Sequence, residues 1–204
     1  AATASALMVG TALVAGSFIL STSFTESVDR AVTRGARSDL VISSPSQLGF
    51  SPALGEEART VPGVTTVHPY RMGFFKLAGS TEQIVGVPPD AIDPSYAQPS
   101  LDISVTAGEV QQLTGDAIAV SVDAAHDHAW SLGDVVEATF AGGTAQMRIV
   151  ALYDDTALIG DYVLGEATFD AHFADTNDFL VLVSIADDAD LRSVQSALQT
   201  IVDE

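Results

Sequence analysis

The chain opens with a long uncharged segment, and only afterwards do polar and apolar positions begin to alternate. Residues 1–25 contain no charged side chain and are rich in Ala, Gly, Ser and Thr as well as large apolar residues. About 20 residues are enough to cross a hydrocarbon core of about 30 Å as a helix. Small residues also suit helices that pack closely inside a bilayer. The pattern therefore predicts a transmembrane helix over residues 1–25.

Two other interpretations of this segment stay open, namely a cleaved signal peptide and a buried helix of a soluble core. A signal peptide has an apolar region of about 7–15 residues that follows a basic start, and no basic residue is seen before this run. A soluble helix normally carries polar residues on one face. Because Ala1 is not an initiator methionine, we expect the sequence to be a piece of a longer protein.

Helical spacing continues beyond the uncharged run. Phe24 and Val28 lie four residues apart on an apolar face, which is typical of an amphipathic helix. Glu26 and Arg30 are placed for an i,i+4 ion pair. We predict a stalk helix over residues 26–36 that transmits motion stiffly, since a helix rises about 1.5 Å per residue without slack; alternatively, the segment only covers one side of the domain. The predicted coupling residues are Phe24, Glu26, Val28, Arg30 and Arg34.

From residue 37 onward, short apolar runs separated by turn residues predict an α+β domain. The first unit has strands over 38–43, 65–77 and 81–87. Its helix begins at Ser51 and Pro52, with the serine as N-cap and the proline at the first helical position. A turn over 78–80 joins the last two strands.

The middle of the chain differs from the first unit in its pattern of prolines and apolar runs. Four prolines between residues 88 and 100 predict a linker. Beyond it, the sequence AGGT separates two apolar runs and predicts a hairpin. The pattern predicts strands over 116–121, 135–140, 145–153 and 161–164, and helices over 124–129 and from the end of the last strand to about 173.

The end of the chain repeats the strand–helix pattern of its beginning. A strongly apolar strand over 179–185 precedes a helix that runs to about residue 202, capped by Asp187 or Asp188. We expect these two elements to pack beside the first strand and helix. The predicted fold is therefore an N-terminal membrane and stalk helix, a discontinuous α+β subdomain over 37–87 and 179–204, and an inserted β-rich subdomain over 88–178. The apolar stripe of the last helix is predicted to comprise Leu191, Val194, Leu198 and Ile201.

Composition excludes several classes of function. The net charge is −19, from 27 acidic and 8 basic residues. Nucleic-acid binding relies on clustered Lys and Arg that displace counterions, and anionic lipid attracts basic segments. The domain is therefore not expected to bind nucleic acid or to lie on an anionic lipid surface. The chain has no cysteine, which excludes disulfides and thiol chemistry.

The sequence shows no sharp catalytic or metal-binding signature. His126 and His128 flank Asp127, but side chains two residues apart diverge on a helix, and zinc needs a further protein ligand. The phosphate-binding G-x-x-x-x-G-K-[ST] motif, the EF-hand loop and the G-x-S-x-G motif are absent. We predict no catalytic residue, no metal site and no cofactor in this chain, which is not expected to be an enzyme.

One aromatic patch is a candidate contact surface, formed by Tyr70, Arg71, Phe74 and Phe75. Adjacent residues on a strand face opposite sides of the sheet, so one phenylalanine is expected in the core and the other on the surface. An exposed phenylalanine beside Tyr70 and Arg71 would suit contact with a partner. Ordinary packing of all four residues is the alternative.

Three segments together resemble the FtsX/MacB-like permease family of ABC transporters: TASALMVGTALVAGSFILSTSF, ESVDRAVTRGARSDLVISS and SLGDVVEATFAGGTAQMRIVALY. The resemblance implies a first membrane helix followed by an extracytoplasmic core domain at the cell membrane. It also implies a cytoplasmic ATPase partner, reached through parts of the permease beyond this sequence, and a second permease copy or half.

The function implied by this resemblance is transmission of ATP-driven motion across the membrane, to export or to an external partner. Two alternatives rest on the residues alone. One is a membrane-anchored extracytoplasmic module that binds a peptide, a lipid or a cell-wall protein. The other is a secreted hydrolase behind a signal peptide.

Overall fold

A computed structural model describes residues 37–43, 49–93, 95–96, 99–101, 103–154 and 159–203. The predicted membrane helix over 1–25 and stalk helix over 26–36 lie outside the described residues, as do the coupling residues Phe24, Glu26, Val28, Arg30 and Arg34. Within the described ranges, every helix is too short or too polar to cross a membrane.

The described residues form an α+β fold of nine strands and five α-helices, with one 3₁₀ turn at Val110–Gln112. The strands are β1 (Leu40–Ser43), β2 (Val64–Leu77), β3 (Ser80–Val87), β4 (Ser104–Gly108), β5 (Ala117–Ser121), β6 (Val135–Phe140), β7 (Gly143–Asp154), β8 (Tyr162–Gly165) and β9 (Asp178–Ile185). The helices are α1 (Pro52–Ala58), α2 (Pro89–Ile92), α3 (Val122–Asp127), α4 (Glu166–His172) and α5 (Leu191–Asp203).

All nine strands belong to one sheet in the order β1-β9-β2-β3-β8-β5-β7-β4, with β6 paired to β2 and β7. The β3–β8 and β5–β7 pairs are parallel, and the other pairs are antiparallel. The sheet is continuous across the predicted subdomains, because β3 of the first pairs with β8 of the second. The subdomain boundaries at residues 87/88 and 178/179 stay a prediction.

Strand β2 has 14 residues and is therefore about 45 Å long at about 3.3 Å per residue. It contributes to each of the three apolar clusters of the described core. Val67 packs in the cluster with α1 and α5. Tyr70 belongs to the central cluster, and Phe75 to the cluster around β6 and β7. One strand thus contributes to all three parts of the core.

The first and last elements pack together, as the sequence pattern predicts. β1 pairs antiparallel with β9, with Leu40 opposite Val183. Ile42 of β1 and Leu54 of α1 share one apolar cluster with Leu198 of α5. The beginning and the end of the described chain are therefore held in the same core.

Two details of α5 correct the sequence predictions. The cap is Asp190, because the helix begins at Leu191 and not nearer to Asp187 or Asp188. Asp190 accepts hydrogen bonds from the Arg192 N–H at 3.3 Å and from the hydroxyl of Ser193 at 2.6 Å. Leu191 is also exposed, so the apolar stripe begins one turn later at Val194.

Local turn and cap chemistry agrees with the sequence elsewhere. Ser51 caps α1 by accepting a hydrogen bond from the Ala53 N–H at 3.3 Å. The turn between β2 and β3 consists of Ala78 and Gly79, with φ of 49° and 90°, as a tight hairpin turn requires. The predicted linker over 88–100 contains the short helix α2, and the pattern also missed the edge strand β4.

Candidate functional site

A cleft forms where two parallel strands end beside the longer strand β2. β3 and β8 are parallel and in register from Val85 opposite Val163 to Val87 opposite Gly165. The carboxyl ends of both strands therefore lie at the same edge of the sheet. β2 pairs with β3 only from Arg71 onward. Among the described strands, none pairs with residues 64–68 on this side. An open cleft of about 350 Å³ lies along these residues.

Four elements place charged or titratable side chains around this cleft. His68 comes from β2, and Asp90 lies in the first turn of α2, directly after β3. Glu166 is the first residue of α4, directly after β8. Arg59 is the C-cap residue of α1. The side chains converge because β3 and β8 each pass into a helix at this edge.

His68 is the most buried of these groups, with 7% of its side chain exposed. Its Nε2 atom lies 3.5 Å from Oδ2 of Asp90, whereas its Nδ1 atom has no hydrogen-bond partner among the described residues. Burial lowers the pKa of His68 below its ordinary value of 6.5, although the Asp90 carboxylate opposes this shift. The imidazole is therefore neutral at pH 7 and can donate one hydrogen bond and accept another.

Arg59 covers a backbone acceptor at the cleft. Its Nη2 atom donates to the carbonyl oxygen of Val67 at 3.2 Å, and its Nη1 atom forms an ion pair with Glu56. Thr66 also lines the cleft, and its hydroxyl oxygen is buried without a hydrogen-bond partner in the part of the chain that the structure describes. Two polar side-chain atoms of β2 at the cleft, Nδ1 of His68 and Oγ1 of Thr66, therefore have no hydrogen-bond partner among the described residues.

A second charged cluster adjoins the cleft and is centred on buried Arg71. Its Nη2 atom lies 2.9 Å from Glu166, its Nε atom donates to Asp178 at 3.1 Å, and its Nη1 atom donates to Asp170. Burial alone would lower the pKa of Arg71, but the hydrogen bonds to Asp170 and Asp178 and the charge of Glu166 raise it. Burial raises the pKa of the Asp178 carboxyl, although its bond to Arg71 counteracts this. Arg71 thus joins β2, α4 and β9.

Glycines in the sheet allow α4 to approach it closely. The rings of Phe169 and Phe173 stack with 4.2 Å between their centroids. Phe169 covers Gly86, and Phe173 covers Gly73. A Cβ atom on Gly86 would lie 2.5 Å from Cγ of Phe169, which is far inside van der Waals contact. This packing fixes the position of α4 and therefore of Glu166.

The structure separates the four residues of the predicted contact patch. Tyr70 is buried and its hydroxyl lies 2.8 Å from Oγ of Ser100. Phe75 is buried against the rings of Phe140 and Tyr162.

The remaining two residues differ sharply. Arg71 is buried, whereas Phe74 is 62% exposed. The two phenylalanines face opposite sides, as expected of neighbours on a strand. The contact role of the patch stays a prediction, and among these four residues only Phe74 lies at the surface.

The histidine pair is not brought together with further ligands. His126 is exposed beside Asp127, and His128 stacks on Trp130 with 4.3 Å between ring centroids. The described residues contain no group of three or more His, Asp or Glu side chains that could hold a metal ion.

Sequence reasoning did not find the cleft or the Arg71 cluster. One signal was available, because a glycine inside a strand often marks the close approach of another element. Gly73 and Gly86 are such glycines. The convergence of Asp90 and Glu166 depends on the parallel pairing of β3 and β8, which no local pattern indicates.

Several solved structures have a similar fold. The periplasmic region of MacB from Actinobacillus actinomycetemcomitans is 12% identical, with a TM-score of 0.52, and the match covers 75% of this chain and 72% of that one. The extracellular domain of the noncanonic ABC-type transporter YknZ from Gram-positive bacteria is 15% identical, with a TM-score of 0.54, covering 76% and 84%. At these identities, the likeness concerns the fold. A search among curated proteins found no match.

The family itself is shown by a sequence model. The model of the MacB-like periplasmic core domain matches residues 1–201. The chain belongs to this family, and it is an extracytoplasmic core domain of a MacB-like ABC transporter permease. The resemblance of the sequence to the FtsX/MacB-like permease family is thereby confirmed.

Proposed function

We propose that this domain transmits ATP-driven motion from the membrane to export or to an external partner, without being an enzyme itself. In this proposal, residues 1–25 anchor the domain in the cell membrane and residues 26–36 are the stalk. A cytoplasmic ATPase drives the permease through its other parts, and a second permease copy or half completes the assembly. Membership of the MacB-like family supports this assignment.

The observation that carries the proposal is the path of β2 through the core. The chain enters the sheet at β1, which pairs with β9, and β9 pairs with β2 from Val64 to Arg71. β2 then continues to Leu77 through all three apolar clusters. Since packed cores deform little, a displacement applied at β1 would move the distant β2–β3 hairpin with it.

The test uses the complete permease and its ATPase in lipid nanodiscs. The given chain has no cysteine, so Leu132→Cys, at an exposed residue, provides a labelling site for an environment-sensitive fluorophore. Two alanines inserted after Ser23 rotate the following helix by about 200° at about 3.6 residues per turn. We expect the ATP-dependent fluorescence change to be lost while ATP hydrolysis continues.

The matched control places the same two alanines between Ala141 and Gly142, in the turn that joins β6 and β7. This insertion should leave the fluorescence change intact, because surface turns tolerate insertion. An unchanged signal after the insertion at Ser23 would argue against a stiff stalk.

Exposed Phe74 supports a second candidate function, in which the domain binds an external peptide, lipid or cell-wall protein at this face. The side chain lies on β2 opposite Gln83 of β3, near the end of the hairpin that is remote from β1. Lys76 follows on the same face and is also exposed. An exposed aromatic residue next to a cation suits a partner with apolar and acidic groups.

The contact at Phe74 can be examined by photocrosslinking in living cells. With the full-length protein, p-benzoylphenylalanine in place of Phe74 is expected to yield one discrete adduct. The same substitution at Leu132, which is also exposed, should not yield it. Equal adducts at the two positions, or none at either, would count against a partner at Phe74.

A further inference from the structure

We propose that the cleft along β2 residues 64–68 binds a short extended peptide with a basic side chain, which joins the sheet as an additional strand. This proposal is independent of both functions proposed above. It rests on the open strand edge, the unsatisfied polar atoms and the charges around the cleft.

The edge of β2 provides the backbone groups. In an antiparallel pair, a residue directs its N–H and C=O to the same side of the strand. Arg59 donates to the Val67 carbonyl oxygen from the cleft, so the Val67 N–H points into the cleft as well. Further along the same strand, β3 pairs with β2 from Arg71 to Leu77. A bound peptide would therefore continue the line of β3, in the mode by which extended peptides add to sheet edges.

Two buried polar atoms at the cleft have hydrogen-bonding capacity that a ligand could use. Nδ1 of His68 and Oγ1 of Thr66 are both buried without a hydrogen-bond partner among the described residues. Buried polar groups in native structures nearly always have such partners. The two side chains lie two positions apart on β2 and hence on one face, where the polar groups of a single ligand could reach both.

The charges around the cleft select a basic ligand. Asp90 is 41% exposed, and among the described residues its one ion-pair partner is His68, whose imidazole is neutral. Glu166 forms an ion pair with Arg71. Arg59 forms an ion pair with Glu56 and donates a hydrogen bond to the Val67 carbonyl oxygen. Asp90 is thus the carboxylate available to a Lys or Arg side chain. The volume of about 350 Å³ suits a few residues and lies at the small end of known ligand sites, about 300–1,000 Å³.

Binding can be measured by fluorescence anisotropy with the 204-residue chain. The probe is a labelled, acetylated and amidated pentapeptide of alternating threonine and lysine. An otherwise identical peptide with N-methylated backbone nitrogens keeps the charge but cannot donate to a strand edge. We expect N-methylation to weaken binding by about tenfold or more, which corresponds to the loss of one to two hydrogen bonds.

Two variants separate the carboxylate in the cleft from general attraction to an acidic protein. Asp90→Asn is expected to weaken binding of the lysine peptide by about two- to fivefold. Glu57→Gln, at an exposed acid on α1 outside the cleft lining, should leave binding unchanged. Amide hydrogen exchange at Val67 should slow when the peptide is bound.

The proposal fails if the lysine peptide does not bind. It also fails if the N-methylated peptide binds equally well, since the cleft would then be a cation site only. Equal loss of binding in Asp90→Asn and Glu57→Gln would show attraction to the acidic surface as a whole and would likewise overturn it.

Discussion

Replacing Arg71 with methionine is expected to lower the free energy of unfolding by about 3–5 kcal/mol at pH 7, the range measured when one partner of a buried ion pair is removed. The substitution keeps much of the side-chain volume but leaves Asp178, which is 1% exposed, without its guanidinium partner. It also releases Glu166 and Asp170, which hold α4 to the sheet.

The loss of unfolding free energy caused by Arg71→Met should be smaller at lower pH. Burial already holds the pKa of Asp178 above its unfolded value of 3.8, and the bond to Arg71 works against this shift. Without Arg71 the folded-state pKa rises further. A group with a raised folded-state pKa adds stability as the pH falls through that pKa, because the folded state then binds the proton more tightly. Urea unfolding of the variant at pH 7 and near pH 5 should show this recovery.

Two controls separate the loss of the buried pair from a general loss of positive charge. Arg192→Met removes an exposed arginine from α5 and should change stability by less than about 0.5 kcal/mol. Asp178→Asn in the Arg71→Met background should restore part of the lost stability at pH 7 and remove its pH dependence. A small, pH-independent effect of Arg71→Met would mean that the cluster is solvated and contributes little.

The parts of the fold that were predicted from sequence depend on neighbouring residues. Ser51 and Pro52 predict the start of α1, because helix capping involves residues within one turn of each other. The two hairpins follow from glycines at the turns between apolar runs. The packing of α5 beside α1 could be predicted because both elements carry an apolar face that must be covered.

Arg71 illustrates what sequence reasoning could not reach. In a strand whose apolar and polar positions alternate, the sequence predicts that an arginine next to a tyrosine lies at the surface. Its burial depends on Glu166, Asp170 and Asp178, which lie about a hundred residues later in the chain. Asp90 and Glu166 meet for a similar reason, since only the parallel pairing of β3 with β8 brings their helices together. Such pairing leaves no periodic signal in the sequence.

The contact between Phe169 and Gly86 should produce the second large effect and can be tested by a double-mutant cycle. Phe169 is fully buried, so Phe169→Ala is expected to cost about 3–5 kcal/mol. Gly86→Ala places a methyl group against the Phe169 ring and should cost about 1–3 kcal/mol through overpacking. The alanine substitution at Phe169 removes the ring atoms that lie 2.5 and 2.6 Å from the added methyl group but keeps the Cβ atom at 2.6 Å, so only the part of the clash that involves the ring is relieved. The combined loss should therefore be smaller than the sum of the two single losses.

Gly142→Ala provides the matched control for this cycle. Among the described residues, the nearest atom to a Cβ atom at Gly142 is the carbonyl oxygen of His172 at 3.8 Å, so the effect of this substitution should be small and should add to that of Phe169→Ala. Chemical denaturation of the four variants measures both coupling energies. Full additivity of Gly86→Ala and Phe169→Ala would show that α4 lies further from the sheet than this packing requires. The position of Glu166 at the cleft would then lose its structural basis, because α4 holds that side chain in place.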